Sequence, residues 1–371
     1  MKFKIENLGL INTANIDLKK INVITGKNSV IKSNLSGILY CFLAPASKDY
    51  EMITEYKIYM EILHYLVRYE VSQDKKLDDC HEFLYDDKNK ECLELFRQII
   101  INEEFYDKTN LLNELDRIEK LFDETKEEQY YGNLDFLLKS EFCYIGVLLQ
   151  DSKITFYNNN EKIVLEEDGE IINDLHNLNL ENVIYMTIDK KIDPYHNTQV
   201  RHKLRRFDST DDEDIIKMAN KIDETINNCN VCEPPAGLML LDQLRRLLLD
   251  NQLSKNSYLI LDNPENDLHP LLQVKLAEIL VLFALKLNIT LYINTNSPFL
   301  TEALEAYCKF YNIYSETNFY HIEKDDIDDT YYLRLLDDLS ISEVYSEYED
   351  AFEIIKNIHK KINLGVNEGY F

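Results

Sequence analysis

No run of apolar residues in this chain of 371 is long enough to cross a bilayer, which argues against a helical membrane protein. The start, Met1-Lys2-Phe3-Lys4-Ile5, alternates charged and apolar side chains and lacks the hydrophobic stretch of a signal peptide. The expected compartment is therefore the cytoplasm. Positive charge is also scarce: 40 Lys and Arg against 67 Asp and Glu leave a net charge of −27. Phosphate backbones are bound by cations that neutralise them, so such a surface repels nucleic acid except at a local basic patch. The candidate patch is Arg201-His202-Lys203-Leu204-Arg205-Arg206, with Arg245-Arg246 further on. It reads as a helix face answering neighbouring acids. Nucleic acid is not expected without a partner, and the acidity suits a basic protein partner.

A cysteine framework is missing too. Seven cysteines are scattered without framework spacing, so they read as reduced thiols that fill the core. Cys229-Asn230-Val231-Cys232 has zinc-knuckle spacing, but no second CxxC or HxxxH supplies the other two ligands, and zinc is not expected. There are no internal repeats, and no metal-ligand cluster or nuclease motif supports a separate nuclease activity.

What is present is enough apolar material, 45% against 29% charged, to bury a substantial core. Lys2 to Glu6, Ala14 to Leu18 and Ile21 to Thr25 alternate as strands do, the third reading as buried on both faces. Gly26 follows, then a helical pattern from Lys32 through Phe42. From about Asp49 to Gln150 glycine almost vanishes and Tyr, Leu, Ile, Glu and Lys recur at helical spacing, which predicts an all-helical insertion. Lys153 to Ile172 reads as a hairpin turning at Asn158-Asn159-Asn160, Val183 to Ile188 as a strand, and Asp214 to Asn227 as a helix. Helix, strand, helix, strand and helix then follow from Leu238 to Lys309. The tail from about Tyr331 reads as acidic and helical. Strands alternating with helices predict an α/β fold with a mixed, mostly parallel sheet flanked by helices. The expected division is 1–48 and 151–330 for one head, 49–150 for the insertion and 331–371 for the tail.

Four segments carry chemistry. Gly26-Lys27-Asn28-Ser29-Val30-Ile31-Lys32-Ser33 matches the phosphate-binding pattern G-x-x-x-x-G-K-[ST] except that Ile31 replaces the second glycine. In that pattern backbone N–H groups wrap the phosphates, the lysine reaches the outer ones and the hydroxyl holds Mg²⁺. A β-branched residue at position 31 adds bulk there and resists positive φ. Ser257 to Leu261 is an apolar strand ending in Asp262, suited to orienting Mg²⁺. The remaining two are Asn294-Thr295-Asn296-Ser297-Pro298 and Pro235-Ala236-Gly237-Leu238.

Together these segments resemble the bacterial AAA-family ATPases of the AbiEii-like group, related to the SMC, RecF and OLD-type ABC ATPases. Met1 to Gly9 with the loop that follows, Leu259 to Pro270 and Ser297 to Glu305 carry the resemblance. It implies a P-loop ABC-type ATPase head, ATP and Mg²⁺ as cofactors, and homodimers or heterodimers formed through that head. It also implies service in bacterial anti-phage defence, toxin–antitoxin or repair modules. The implied nucleotide-binding residues are Gly26, Asn28, Ser29, Ile31, Lys32, Ser33 and Asn34; Ser33 and Asp262 would hold Mg²⁺. The chain departs from the family at four points. Asn263 stands where a glutamate activates water, and Asn296 where a histidine contacts the terminal phosphate. Ala236 replaces the signature serine before Gly237, and Ile31 the loop glycine. An amide cannot take up a proton at neutral pH, so the expected function is a pseudo-ATPase acting as a nucleotide-binding or purely structural partner module. The alternative is a working Mg²⁺-dependent ATPase in which Glu265 or Asp267 replaces the missing base. Glu265 and His269 are otherwise read as structural residues of the turn.

Overall fold

Successive residues of a strand face opposite ways, and the central strands of this chain are apolar in both directions, so helices must cover both faces. In the computed structural model the described residues are 1–26, 29–47, 152–158, 161–166, 171–173, 180–187, 210–228, 236–325 and 327–336, with isolated positions between 94 and 137 and between 353 and 360. The strands are β1 (Lys2–Leu8), β2 (Ile11–Asp17), β3 (Ile21–Thr25), β4 (Lys153–Asn158), β5 (Glu161–Glu166), β6 (Ile171–Asn173), β7 (Val183–Thr187), β8 (Tyr258–Asp262), β9 (Thr290–Asn294), β10 (Thr317–Lys324) and β11 (Tyr331–Leu336). The helices are α1 (Ser29–Leu43), α2 (Glu213–Asn227), α3 (Ala236–Leu249), α4 (Pro270–Lys286) and α5 (Pro298–Phe310).

The eleven strands among the described residues join one sheet in the order β6-β5-β4-β1-β2-β11-β10-β3-β9-β8-β7. From β10 to β7 every pairing is parallel. From β6 to β2 every pairing is antiparallel. The expected α/β class with a mixed sheet is what the chain adopts. On one face Val23, Leu259, Leu261, Leu291, Ile293 and Phe319 meet α2, α3, α4 and α5. On the other, Ile24, Ile260, Tyr292, Tyr320 and Ile322 meet α1 and the antiparallel strands.

Local chemistry explains the helix starts. Asp212 caps α2 by accepting from Asp214 N and Ile215 N, and Ser297 caps α5 ahead of Pro298, which suits a first helical position. His269 caps α4, its Nδ1 accepting from Leu271 N at 3.3 Å, in keeping with the turn role expected of it. Among the described residues no helix is long and apolar enough to cross a membrane.

Three expectations need correction. The tail does not begin as a helix: Tyr331–Leu336 is a strand, paired to β10 and β2, so the head extends past residue 330. Its run of Tyr, Tyr, Leu, Arg, Leu and Leu favours a pleated surface, and two neighbouring strands satisfy its backbone. Thr317–Lys324, assigned to no element above, is the central strand β10. Finally, α1 starts at Ser29 rather than Lys32. Most of 49–150 lies outside the described residues; those described there with a helical backbone include Arg97, Leu115, Leu134 and Leu137. The basic run 201–206, the Cys229–Cys232 pair and the turn residues Asn159 and Asn160 also lie outside them.

Candidate functional site

Parallel register sets the strand ends level: Asp262 is opposite Asn294, and Asn294 opposite Ile24. The residues that leave β3, β8 and β9 therefore emerge side by side. Backbone bonds fasten these exits together, Asn263 N to Asn294 O at 3.0 Å and Thr295 N to Ile24 O at 3.0 Å. Gly26 has φ +135°, where a side chain is strained, and a Cβ there would lie 3.0 Å from Ile322 Cβ. Close approach of β10 thus requires glycine at the exit of β3. Asn263 has φ +51°, a left-handed conformation that asparagine tolerates better than most residues. Its identity has a backbone reason as well as a chemical one.

Lys32, on the first turns of α1, is fully buried. Its Nζ donates to Gly26 O and to Asn296 Oδ1. From there a chain of amides runs to the end of β8: Asn296 Nδ2 donates to Asn263 Oδ1 at 3.0 Å, and Asn263 Nδ2 to Asp262 Oδ1 at 3.2 Å. Asn294 braces it, its Nδ2 donating to Asp262 Oδ1 at 3.1 Å and to Lys32 O at 2.7 Å. Tyr185 OH lies 3.5 Å from Asp262 Oδ2. Burial raises the Asp262 pKa above the usual carboxylate value, against the lowering effect of Ser33, Asn294, Lys32 and Tyr185. Burial also pushes the fully enclosed Tyr292 phenol well above its ordinary value, with the Asp262 charge adding to the effect.

Glu265 belongs to this cluster. Its Oε1 accepts from Asn296 N at 2.7 Å, while its Oε2 is buried with no hydrogen-bond partner among the described residues. Burial raises its pKa despite the Asn296 N–H.

Lys32, Asp262, Asn263 and Asn296 are thus brought together, with Ser33 next to Lys32 in the chain. Ile31 is not part of this group. It is helical, 3% exposed, and belongs to the apolar cluster that holds Ile24, Leu35 and Ile322. Lacking a glycine that would permit other backbone conformations, position 31 takes helical geometry and buries its side chain. Asn34 lies half-buried one residue past Ser33. Lys27 and Asn28 lie outside the described residues, as do the side chains of Ser29, Ala236 and Gly237; the backbone of Ser29 opens α1 and that of Ala236 opens α3. Asn294 and Tyr185 were missed. Asn294 carried a signal, since an amide ending a buried strand needs polar partners; Tyr185 carried none.

The residues implied for Mg²⁺ can be tested on this geometry. A hydroxyl and a carboxylate are the right kind of donor. Asp262 Oδ1 accepts from Asn263 and Asn294, and Tyr185 OH lies 3.5 Å from Oδ2. Ser33 and Asp262 are the residues that would hold the ion, which would supply charge against phosphate.

No family model and no curated protein matches the chain. Among solved structures it is similar to the SMC head domain from Thermotoga maritima, with a TM-score of 0.40 and 9% identity over 91% of this chain and 98% of that one. It is also similar to an Smc head domain with an extended coiled coil, bound to the C-terminal domain of ScpA, from Pyrococcus furiosus; there the TM-score is 0.31 and the identity 8%, over 96% of this chain and 98% of that one. Likeness at these scores has no bearing on function.

Proposed function

We propose that the chain is a P-loop head of the ABC and SMC type that binds a nucleotide and does not turn it over. One observation carries the proposal: Lys32, Asp262, Asn263 and Asn296, from α1, the end of β8 and the β9–α5 loop, form a single hydrogen-bonded cluster at the exits of parallel strands. Such exits, beside a strand–turn–helix unit, are where phosphates bind in open α/β sheets. The lysine supplies the charge. Amides stand where hydrolysis needs a base and an oriented donor, so nothing takes the proton from an attacking water. With its chemistry removed, the head serves as a partner module, dimeric through its own fold or docked to a basic protein. The family resemblance points to a bacterial defence or toxin–antitoxin setting.

Titration of the full chain with a fluorescent nucleotide tests this. Saturable binding that Lys32→Ala abolishes is the expected result. No binding by the wild type, or binding indifferent to Lys32→Ala, would end the proposal.

A second reading, the working ATPase, is favoured by the place of Glu265. Its carboxyl is buried against the Asn296 backbone, and its raised pKa brings it nearer to that of an effective base. Phosphate release lost in Glu265→Gln would establish it.

A further inference from the structure

At the end of the sheet opposite the amide cluster, the parallel strands enter beside a cavity of about 460 Å³, within the range of small-molecule sites. Its lining includes Leu18, Lys19, Lys20, Tyr258, Thr290 and Ser315. Residues 18–20 lead into β3 and Ser315 leads into β10, while Tyr258 and Thr290 open β8 and β9. We infer that this cavity binds a phosphate monoester, with its doubly charged head between Lys19 and Lys20. The five residues of β3 put about 16 Å between this cavity and the strand exits. It is therefore a second site, and it stands apart from nucleotide binding.

The charge balance here is the reverse of the chain's. The sequence has 67 Asp and Glu against 40 Lys and Arg, yet the cavity has two lysines against a single glutamate, Glu316. Neither ammonium is neutralised by an ion pair among the described residues. Lys19 Nζ donates to Ser315 O at 2.9 Å, and Lys20 Nζ to Asn288 O at 3.4 Å and to Asn288 Oδ1. All these acceptors are uncharged, and each ammonium has three hydrogens to give. Burial lowers the Lys20 pKa against the opposing effect of Glu316, so this cation is partly stripped of water with no paired anion to compensate. A bound anion supplies that compensation. The two side chains also diverge, Lys19 toward the residues before β10 and Lys20 toward those before β9. Because β3 lies between those strands, the ammoniums flank its start. A head held from both sides suits two negative charges, which a phosphate monoester approaches at pH 7.

The turn that presents the lysines is fixed from within the core. Asn22 is fully buried on β3; its Oδ1 accepts from Lys19 N at 2.9 Å, and its Nδ2 donates to Lys19 O at 2.8 Å and to Leu291 O at 3.0 Å. Lys20 O accepts from Leu291 N at 2.8 Å. Ordering this backbone in advance lowers the entropic cost of binding. Thr290 and Ser315 add hydroxyls to the wall, and Leu18 with the Tyr258 ring adds apolar surface for the organic body of the ligand.

Calorimetric titration of the full chain at low ionic strength with phenyl phosphate, succinate and phenol tests the inference. Phenyl phosphate is expected to bind saturably and more tightly than succinate, and phenol not to bind. Lys19→Gln and Lys20→Gln should each weaken phenyl phosphate roughly tenfold, the low end for a hydrogen bond from a charged donor. Glu316→Gln removes the opposing charge and should tighten it roughly two- to fivefold. All three positions are at least partly exposed, so these substitutions leave the core intact. General damage to the fold could not move affinity in both directions. Failure of the wild type to bind phenyl phosphate overturns the inference. So does binding indifferent to both lysines, which places the anion elsewhere, and so does binding weakened by Glu316→Gln. Succinate binding more tightly than phenyl phosphate, or phenol binding as tightly, overturns the assigned ligand class.

Discussion

Replacing Ile31 by glycine restores the phosphate-loop pattern on paper, and the structure predicts that it harms the protein. Ile31 sits in the first turn of α1 and is 3% exposed, within the cluster that includes Ile24, Leu35 and Ile322. Truncating a buried isoleucine costs about 2–5 kcal/mol, and glycine in a helix adds up to about 1 kcal/mol. The expected loss for Ile31→Gly is therefore about 2–6 kcal/mol, a large share of the ~5–15 kcal/mol that holds a typical domain folded. Ile31→Val, which removes one methyl group, should cost only about 0.5–1.5 kcal/mol. Urea unfolding measures both, provided the slope stays that of the wild type so that the midpoint reports stability. A loss below about 1 kcal/mol for Ile31→Gly, against the 2–5 kcal/mol due to a buried side chain, would refute the helical, core-facing placement. Tighter nucleotide binding by that variant would refute it as well.

Two further outcomes follow from the cluster. Burial holds the folded-state pKa of Glu265 above its unfolded value of about 4.3. The folded protein therefore keeps this proton where the unfolded chain has lost it, so the contribution to stability falls as pH rises through that window. Melting curves of the wild type and Glu265→Gln should show the wild type losing ground to the variant as pH rises above the unfolded value; a difference that stays flat or reverses contradicts the buried carboxyl. Asn263→Glu puts a carboxylate at φ +51° and beside the buried Asp262. It should lower the unfolding free energy by about 1–3 kcal/mol and yield no phosphate release; release would show that the missing base was the sole defect.

The parts of the fold that could be read from sequence are those in which pattern and burial coincide. Ile21-Asn22-Val23-Ile24-Thr25 is buried throughout and is the strand expected. The apolar strand ending at Asp262 and the caps at Asp212 and Ser297 likewise follow from residue types. Thr317–Lys324 escaped notice although Phe319 and Tyr320 are good strand residues, because His321, Glu323 and Lys324 break the apolar run. His321 is accommodated by Thr25, whose hydroxyl lies 3.0 Å from its Nδ1. Only tertiary pairing makes that segment a central strand.

At the site, the substituted amides were legible and their meeting was an inference from a family. What sequence could not supply was direction. Nothing in the pattern says that Ile31 faces the core, that Lys32 folds back onto Gly26, or that Glu265 turns inward to hold the Asn296 backbone. Those outcomes depend on α1 beginning one turn early and on the level exits of β3, β8 and β9. Asn263 shows the converse limit, since its left-handed backbone would favour asparagine even in a protein with no nucleotide to handle.

The most direct test of an amide-lined site that holds nucleotide without consuming it is phosphate release from ATP by the full chain in excess Mg²⁺. Release far below the ~1 s⁻¹ of a slow enzyme, from protein that binds nucleotide in a Lys32-dependent way, is the predicted result. Turnover at about that rate, abolished by Glu265→Gln, would contradict it and make this chain an ATPase with a relocated base.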